Sequence, residues 1–84
     1  MYEILIEQRA EKNLLKIPRA IVERIIKHII CLRDNPRLYG TRKIIGNKDD
    51  WRMRIGDYRV VYEIQDDNKI IRIFRIKHRK DAYK

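Results

Sequence analysis

Trp51 to Ile64, WRMRIGDYRVVYEI, alternates large apolar with polar residues on both sides of Gly56-Asp57. A period of two is the mark of a half-buried strand, and glycine at the break supplies the positive φ of a two-residue hairpin loop. Counting outward from that loop pairs Ile55 with Tyr58, Arg54 with Arg59, Met53 with Val60, Arg52 with Val61 and Trp51 with Tyr62. One face of the hairpin then carries Trp51, Met53, Ile55, Tyr58, Val60, Tyr62 and Ile64, and is predicted to be core. The other carries Arg52, Arg54 and Arg59. Like charges directly opposite one another weaken a strand pair by roughly 0.2–1 kcal/mol. An anion, above all a phosphate, turns that cost into binding energy. The hairpin is therefore expected to be a phosphate-gripping surface.

The rest of the chain reads as support for it. Residues 2–6, YEILI, form a first strand with Tyr2, Ile4 and Ile6 on one side. From Glu7 to Leu15 the period becomes helical, with Ala10, Leu14 and Ile17 at i, i+4 and i+7. Pro18 interrupts, and suits the first turn of a second helix over Arg19 to Arg33. The stripe of Ile21, Val22, Ile25, Ile26, Ile29, Ile30 and Leu32 is wide enough to cover a sheet on one side and the first helix on the other. Asn35-Pro36 ends that helix, Arg37 to Gly40 is a loop, and Thr41 to Ile45 is a short strand closed by Gly46 and a polar turn through Asp50. After the hairpin, Asp67-Asn68 makes a second turn, setting Ile64 opposite Ile71, Tyr62 opposite Ile73, Glu63 opposite Arg72 and Val61 opposite Phe74. In that register Phe74 lies on the charged face, where it is expected to cover Val61, with stacking on a base as the alternative. The predicted fold is one α+β domain over residues 1–84: an N-terminal strand, a helical hairpin, then an antiparallel β-meander whose sheet packs on the two helices.

Charge narrows the class of partner. The 84 residues carry 21 Lys and Arg against 12 Asp and Glu, a formal charge of +9, which points to nucleic acid, an anionic surface or an acidic protein. No apolar run reaches membrane-spanning length, and the N-terminus has no signal-peptide core. Cys31 alone excludes an internal disulfide, and with two scattered histidines it makes no metal-ligand cluster. The expectation is a cytoplasmic polyanion-binding domain with no metal or cofactor. Its last ten residues add Arg75, Lys77, Arg79, Lys80 and Lys84 against only Asp81.

Three segments, Trp51-Arg52-Met53-Arg54, Gly56-Asp57-Tyr58-Arg59-Val60-Val61-Tyr62 and Lys77-His78-Arg79-Lys80-Asp81-Ala82-Tyr83, together resemble the RelE/ParE toxin superfamily. The resemblance covers essentially the whole chain. It implies a compact toxin of a type II toxin–antitoxin pair, with a cognate antitoxin whose acidic segment folds against the basic surface or the helical hairpin. RelE-like members cleave messenger RNA in the ribosomal A site; ParE-like members poison DNA gyrase. A non-catalytic RNA- or antitoxin-binding member of the same fold is a third alternative. Position by position, Arg52 and Arg54 fall where the RelE-type nucleases have two lysines. Arg59 matches their arginine after Gly-x-Tyr, Lys77 and Arg79 their basic residues after the last strand, and Tyr83 their terminal tyrosine.

The chemistry implied is attack of an RNA 2′-hydroxyl on the neighbouring phosphorus without a metal. Arg52, Arg54, Arg59, Lys77 and Arg79 would stabilise the phosphorane, the term that preorganised cations usually dominate. Arginine holds its proton far more firmly than lysine, so the Arg-for-Lys departure at 52 and 54 keeps the charge and weakens any general base there. Proton transfer is open to Tyr83, His78 and Lys77, and it is the resemblance that ranks Tyr83 above His78.

Overall fold

The computed structural model describes residues 1–38, 41–44 and 50–80. In chain order its elements are β1 (Glu3–Ile6), α1 (Gln8–Leu15), α2 (Arg19–Cys31), β2 (Thr41–Lys43), β3 (Asp50–Ile55), β4 (Tyr58–Gln65) and β5 (Ile70–His78). They form a five-stranded mixed sheet in the order β1-β5-β4-β3-β2, with both helices on one face. This is the α+β arrangement read from the sequence.

The β3–β4 hairpin has the expected register at every pair from Ile55–Tyr58 out to Trp51–Tyr62. Gly56 sits at φ +57, and a positive φ at the first loop residue alone is the pattern of a type II′ turn. Met53, Ile55, Val60, Tyr62 and Ile64 are all buried on the helix side. Trp51 and Tyr58 lie at the margins of that face and are only half-buried. The Arg37 guanidinium covers the Trp51 ring at 5.3 Å, and Tyr58 meets His78 edge-on at 5.1 Å.

Between β4 and β5 the predicted register holds at first and then breaks. Ile64–Ile71, Glu63–Arg72 and Tyr62–Ile73 pair as expected, but Val61 pairs with Arg75 instead of Phe74. A β-bulge lies between, and it leaves Phe74 without a partner across the ladder. The cause is the spacing of the isoleucines. Ile73 and Ile76 are both buried, and residues three apart on a regular strand face opposite ways. One extra residue restores the phase, after which Val60–Ile76 and Arg59–Lys77 pair in step. Arg72 lies opposite Glu63 as predicted, yet its ion pair is with Glu7, at 3.5 Å.

β1 runs parallel to β5, with Ile4 beside Ile71 and Ile6 beside Ile73. The Glu7 amide donates to the Ile73 carbonyl at 2.9 Å and extends that ladder by one bond. Past this point no described strand pairs with β5 on that side. There the Asn13 Oδ1 on α1 accepts from the Ile76 amide at 3.0 Å, so the amide freed at the end of the parallel ladder is still satisfied. Ala10 on α1 and Ile25 and Ile29 on α2 are buried against the strands. The second helix ends at Cys31 and not at Arg33, and Leu32 turns into the core as its C-cap. Ile30, on the far side of the stripe, is 53% exposed. β2 stops at Lys43, short of the expected Ile45; Gly40 and residues 45–49 lie outside the described residues.

Two polar ties fix the end of the sheet remote from the Gly56-Asp57 loop. Tyr62 is fully buried, its hydroxyl donates to the Pro36 carbonyl at 2.9 Å, and burial pushes its phenol up to about 12. Asp66, in the β4–β5 turn, accepts from both Arg37 terminal nitrogens at 3.3 and 2.9 Å and from the Tyr2 hydroxyl at 2.7 Å. The N-terminus, the α2–β2 connection and the last turn are thus tied at one exposed carboxylate.

Those Arg37 hydrogen bonds, with Tyr2 second, hold the Asp66 carboxyl down at about 2 from its ordinary 3.8. A depressed carboxyl contributes stability that is fully present above its unfolded value and is lost as pH falls through its folded one. Urea midpoints should therefore fall as pH is taken from 3.8 towards 2, and the Asp66→Asn variant should lack that component. Because the group is exposed, added salt should shrink the difference. Asn13→Ala strands the amide of a buried residue and should cost about 1–3 kcal/mol in urea unfolding.

Candidate nucleic-acid interface

Strand alternation puts most of the polar side chains of β3, β4 and β5 on the face away from the helices. There the register sets Arg54, Arg59 and Lys77 side by side on three neighbouring strands. Directly opposed residues in such a sheet have Cβ atoms about 4.5–5.5 Å apart, so the three cations spring from one line across the sheet. The adjoining row is Arg42, Arg52, Val61 and Arg75, running from β2 to β5. Lys77 joins the arginines only because of the bulge. On an unbroken strand it would point to the helix side.

The two rows bound two hollows. The larger, about 720 Å³, is lined by Arg52, Arg59, Lys77, Val61 and Phe74, with Glu7, Gln8 and Asp50 among the polar groups at its edge. The second, about 570 Å³, is lined by Arg42, Arg52, Arg54, Gly56 and Arg59. Arg52 and Arg59 border both. Arg52 and Arg54 are exposed and Arg59 is half-buried. The Arg54 Nε donates to the Gly56 carbonyl at 3.3 Å, which holds that guanidinium over the hairpin loop. Forked donors converging from adjacent strands are the geometry that grips a phosphate by two or more parallel hydrogen bonds. Among the described residues no group of three or more His, Cys, Asp or Glu side chains is placed to hold a metal.

The remaining site residues named from sequence are placed differently. His78 pairs with Tyr58 on the helix side of the sheet and lines a separate hollow with Asn13, Lys16 and Ile17. It is not brought to the arginine face. Arg79 follows β5; its amide donates to the Asp57 carbonyl of the hairpin loop, and its side chain is exposed. Tyr83 lies outside the described residues. Sequence reasoning missed Arg42, which becomes visible only once β2 is aligned on β3, and missed the shared facing of Phe74 and Arg75. The second was legible: Ile71, Ile73 and Ile76 cannot all face the core without an inserted residue.

Several known proteins of similar shape are toxins. Residues 4–83 match the family model described as the ParE toxin of the type II toxin–antitoxin system, parDE. A Methanocaldococcus jannaschii protein named "Putative toxin RelE1" is 30% identical over 86 residues, covering 99% of this chain and 96% of that protein. Among solved structures, the archaeal RelE–RelB complex from Pyrococcus horikoshii superposes with a TM-score of 0.83 at 30% identity, covering 93% of this chain and 94% of that one. The RelB–RelE antitoxin–toxin complex from Methanococcus jannaschii gives 0.79 at 29% identity, with 94% of each chain covered. With its fold, its hairpin motif and nearly its whole length shared with these proteins, the chain belongs to the ParE toxin family, within the RelE/ParE superfamily, and is a RelE-like toxin of a toxin–antitoxin system.

Proposed function

We propose that this toxin is an endoribonuclease that cuts messenger RNA in the ribosomal A site without a metal. The observation that carries this reading is the single row of Arg54, Arg59 and Lys77, with Arg52 beside it at the mouth of the same cleft. In the reaction the 2′-hydroxyl attacks the adjacent phosphorus, the 5′-oxygen leaves, and a 2′,3′-cyclic phosphate remains. Charge builds on the phosphorane oxygens, and cations already fixed on a rigid sheet need no reorganisation to meet it. Arg52, Arg54, Arg59 and Lys77 supply that clamp, with Arg79, just past the end of β5, as a further cation. Arginines at 52 and 54 cannot act as bases at neutral pH, so proton transfer is assigned to Tyr83. A phenol would ionise more readily if cations were brought beside it. With its ring against Tyr58 on the helix side, His78 is the weaker candidate.

The partner follows from the same reading. The solved relatives are complexes of RelE with RelB, and here a cytoplasmic antitoxin with an acidic, disordered segment would fold over the cationic face or the helical hairpin. The exposed Ile30 and the apolar hollow between β1 and α2, lined by Ile4, Ile6, Ile26 and Ile29, suit its hydrophobic residues. The ParE family match favours a second target, DNA gyrase.

Primer extension on a translated message separates these readings. Cuts within the A-site codon are expected, and Arg59→Ala should reduce cleavage about 10²–10³-fold, the usual cost of removing one preorganised donor. Tyr83→Phe should reduce it while leaving ribosome binding intact. Gyrase-trapped DNA breaks with messages intact would identify the poison instead, and RNA binding with neither outcome a non-catalytic member. For RNA binding itself, Lys77→Ala or Arg59→Ala should weaken affinity across all sequences. Each should also reduce the slope of log K against log salt by about 1, as expected when one phosphate contact is lost.

A further inference from the structure

The larger cleft holds something that a phosphate clamp does not need. Phe74 is the only phenylalanine in the chain, and it packs neither in the buried core nor among the half-buried side chains around it. It is the bulge residue, unpaired across the ladder, and together with Val61 it gives an apolar floor to a cleft rimmed by Arg52, Arg59 and Lys77. Ile73 and Ile76 could both reach the core, with Arg75 still opposite Val61, if residue 74 were absent altogether. The insertion thus adds an aromatic ring to the outer face and nothing to the interior. At about 720 Å³ the cleft lies in the ordinary range for small-ligand sites, roughly 300–1,000 Å³. Its lining combines cations, an aromatic face and hydrogen-bonding groups such as the Gln8 amide. Phosphate alone uses only the first of these. A nucleotide with an unpaired base uses all three.

We propose that this cleft is a nucleobase subsite, in which one base of single-stranded RNA stacks on Phe74 over Val61 while Arg52, Arg59 and Lys77 hold its flanking phosphates. The subsite rests on the reading of this face as an RNA-gripping surface, and it adds the element that fixes where along the strand the clamp closes. Stacking on an aromatic side chain tolerates any base, so Phe74 sets register more than sequence. Selection among bases would fall to the polar groups at the rim.

Fluorescence-anisotropy titration of the full chain with a labelled RNA tetranucleotide, and with the same RNA made abasic at each position in turn, tests this directly. One abasic position should weaken binding about tenfold or more, with little effect at the others. In Phe74→Leu, and in the deletion of Phe74 that makes the ladder regular, intact RNA should fall to the abasic level. Phe74→Trp should retain the difference, and the salt dependence should be unchanged because the phosphate contacts remain. Circular dichroism and urea midpoints confirm folding, and two variants that reach the same face by different backbones keep the comparison decisive. Equal binding of intact and abasic RNA by the wild type overturns the subsite and leaves the phosphate clamp standing. An equal loss for both RNAs in Phe74→Leu also overturns it. Failure of either RNA to bind at low salt overturns the clamp and the subsite together. A preserved base preference without cleavage on ribosomes supports the subsite and overturns only the nuclease.

Discussion

Ile73 and Ile76 must both be buried, and on a regular strand they cannot be. The bulge that reconciles them decides which side chains of β5 face outward. Upstream of it, Ile71 and Ile73 point to the helices and Arg72 away; downstream, Ile76 points in and Lys77 out. Had the strand run on unbroken, Arg75 and Lys77 would be directed into a core of isoleucine and valine. Burying an unpaired cation costs several kcal/mol at the least, whereas a bulge costs a few ladder bonds. The apolar pattern therefore selects the bulge, and the cationic row follows from it.

The same comparison of magnitudes explains why so many like charges can share one face. Each opposed pair such as Arg54–Arg59 costs roughly 0.2–1 kcal/mol. Beneath that face Met53, Ile55, Val60 and Ile76 are almost fully buried, and each such side chain stabilises by about 1.5–3 kcal/mol. Repulsion on the outer side is outweighed by packing on the inner one. The helices take part by closing the inner side, and Asn13 on α1 also satisfies the amide that β1 leaves behind. Carboxylates relieve the face at its edges, with Glu7 paired to Arg72 and Asp50 bordering the larger cleft.

Local pattern was enough to read the β3–β4 hairpin to the residue, because a two-residue loop fixes register and the two faces differ sharply in polarity. The helices were legible for the same reason, with Pro18 marking the break between them. What eluded local reading was non-local. That β1 lies parallel to β5 cannot be counted from any turn, and the pairing of Arg42 with Arg52 spans a connection too long to fix register by counting outward. His78 was assigned by residue type alone, but the phase that follows the bulge turns its ring to Tyr58 on the helix side. Trp51 and Tyr58 were expected in the core and lie at its margin, where cation and ring contacts finish what burial does not. The bulge itself is written in the spacing of Ile71, Ile73 and Ile76, which cannot share one face of a regular strand.

Among the described residues β1 pairs only with β5, the strand farthest from it in sequence. Until residues as far as Ile73 are available, Ile4 and Ile6 have no ladder to join, and the apolar stripe of α2 has only part of a sheet to cover. Contacts so distant in sequence form late, after loop closure has been achieved. A nascent chain that has not yet reached β5 therefore carries its arginines without the scaffold that ranks them, and the charged face forms only once β5 is in place. Assembly of the charged face is deferred by topology alone.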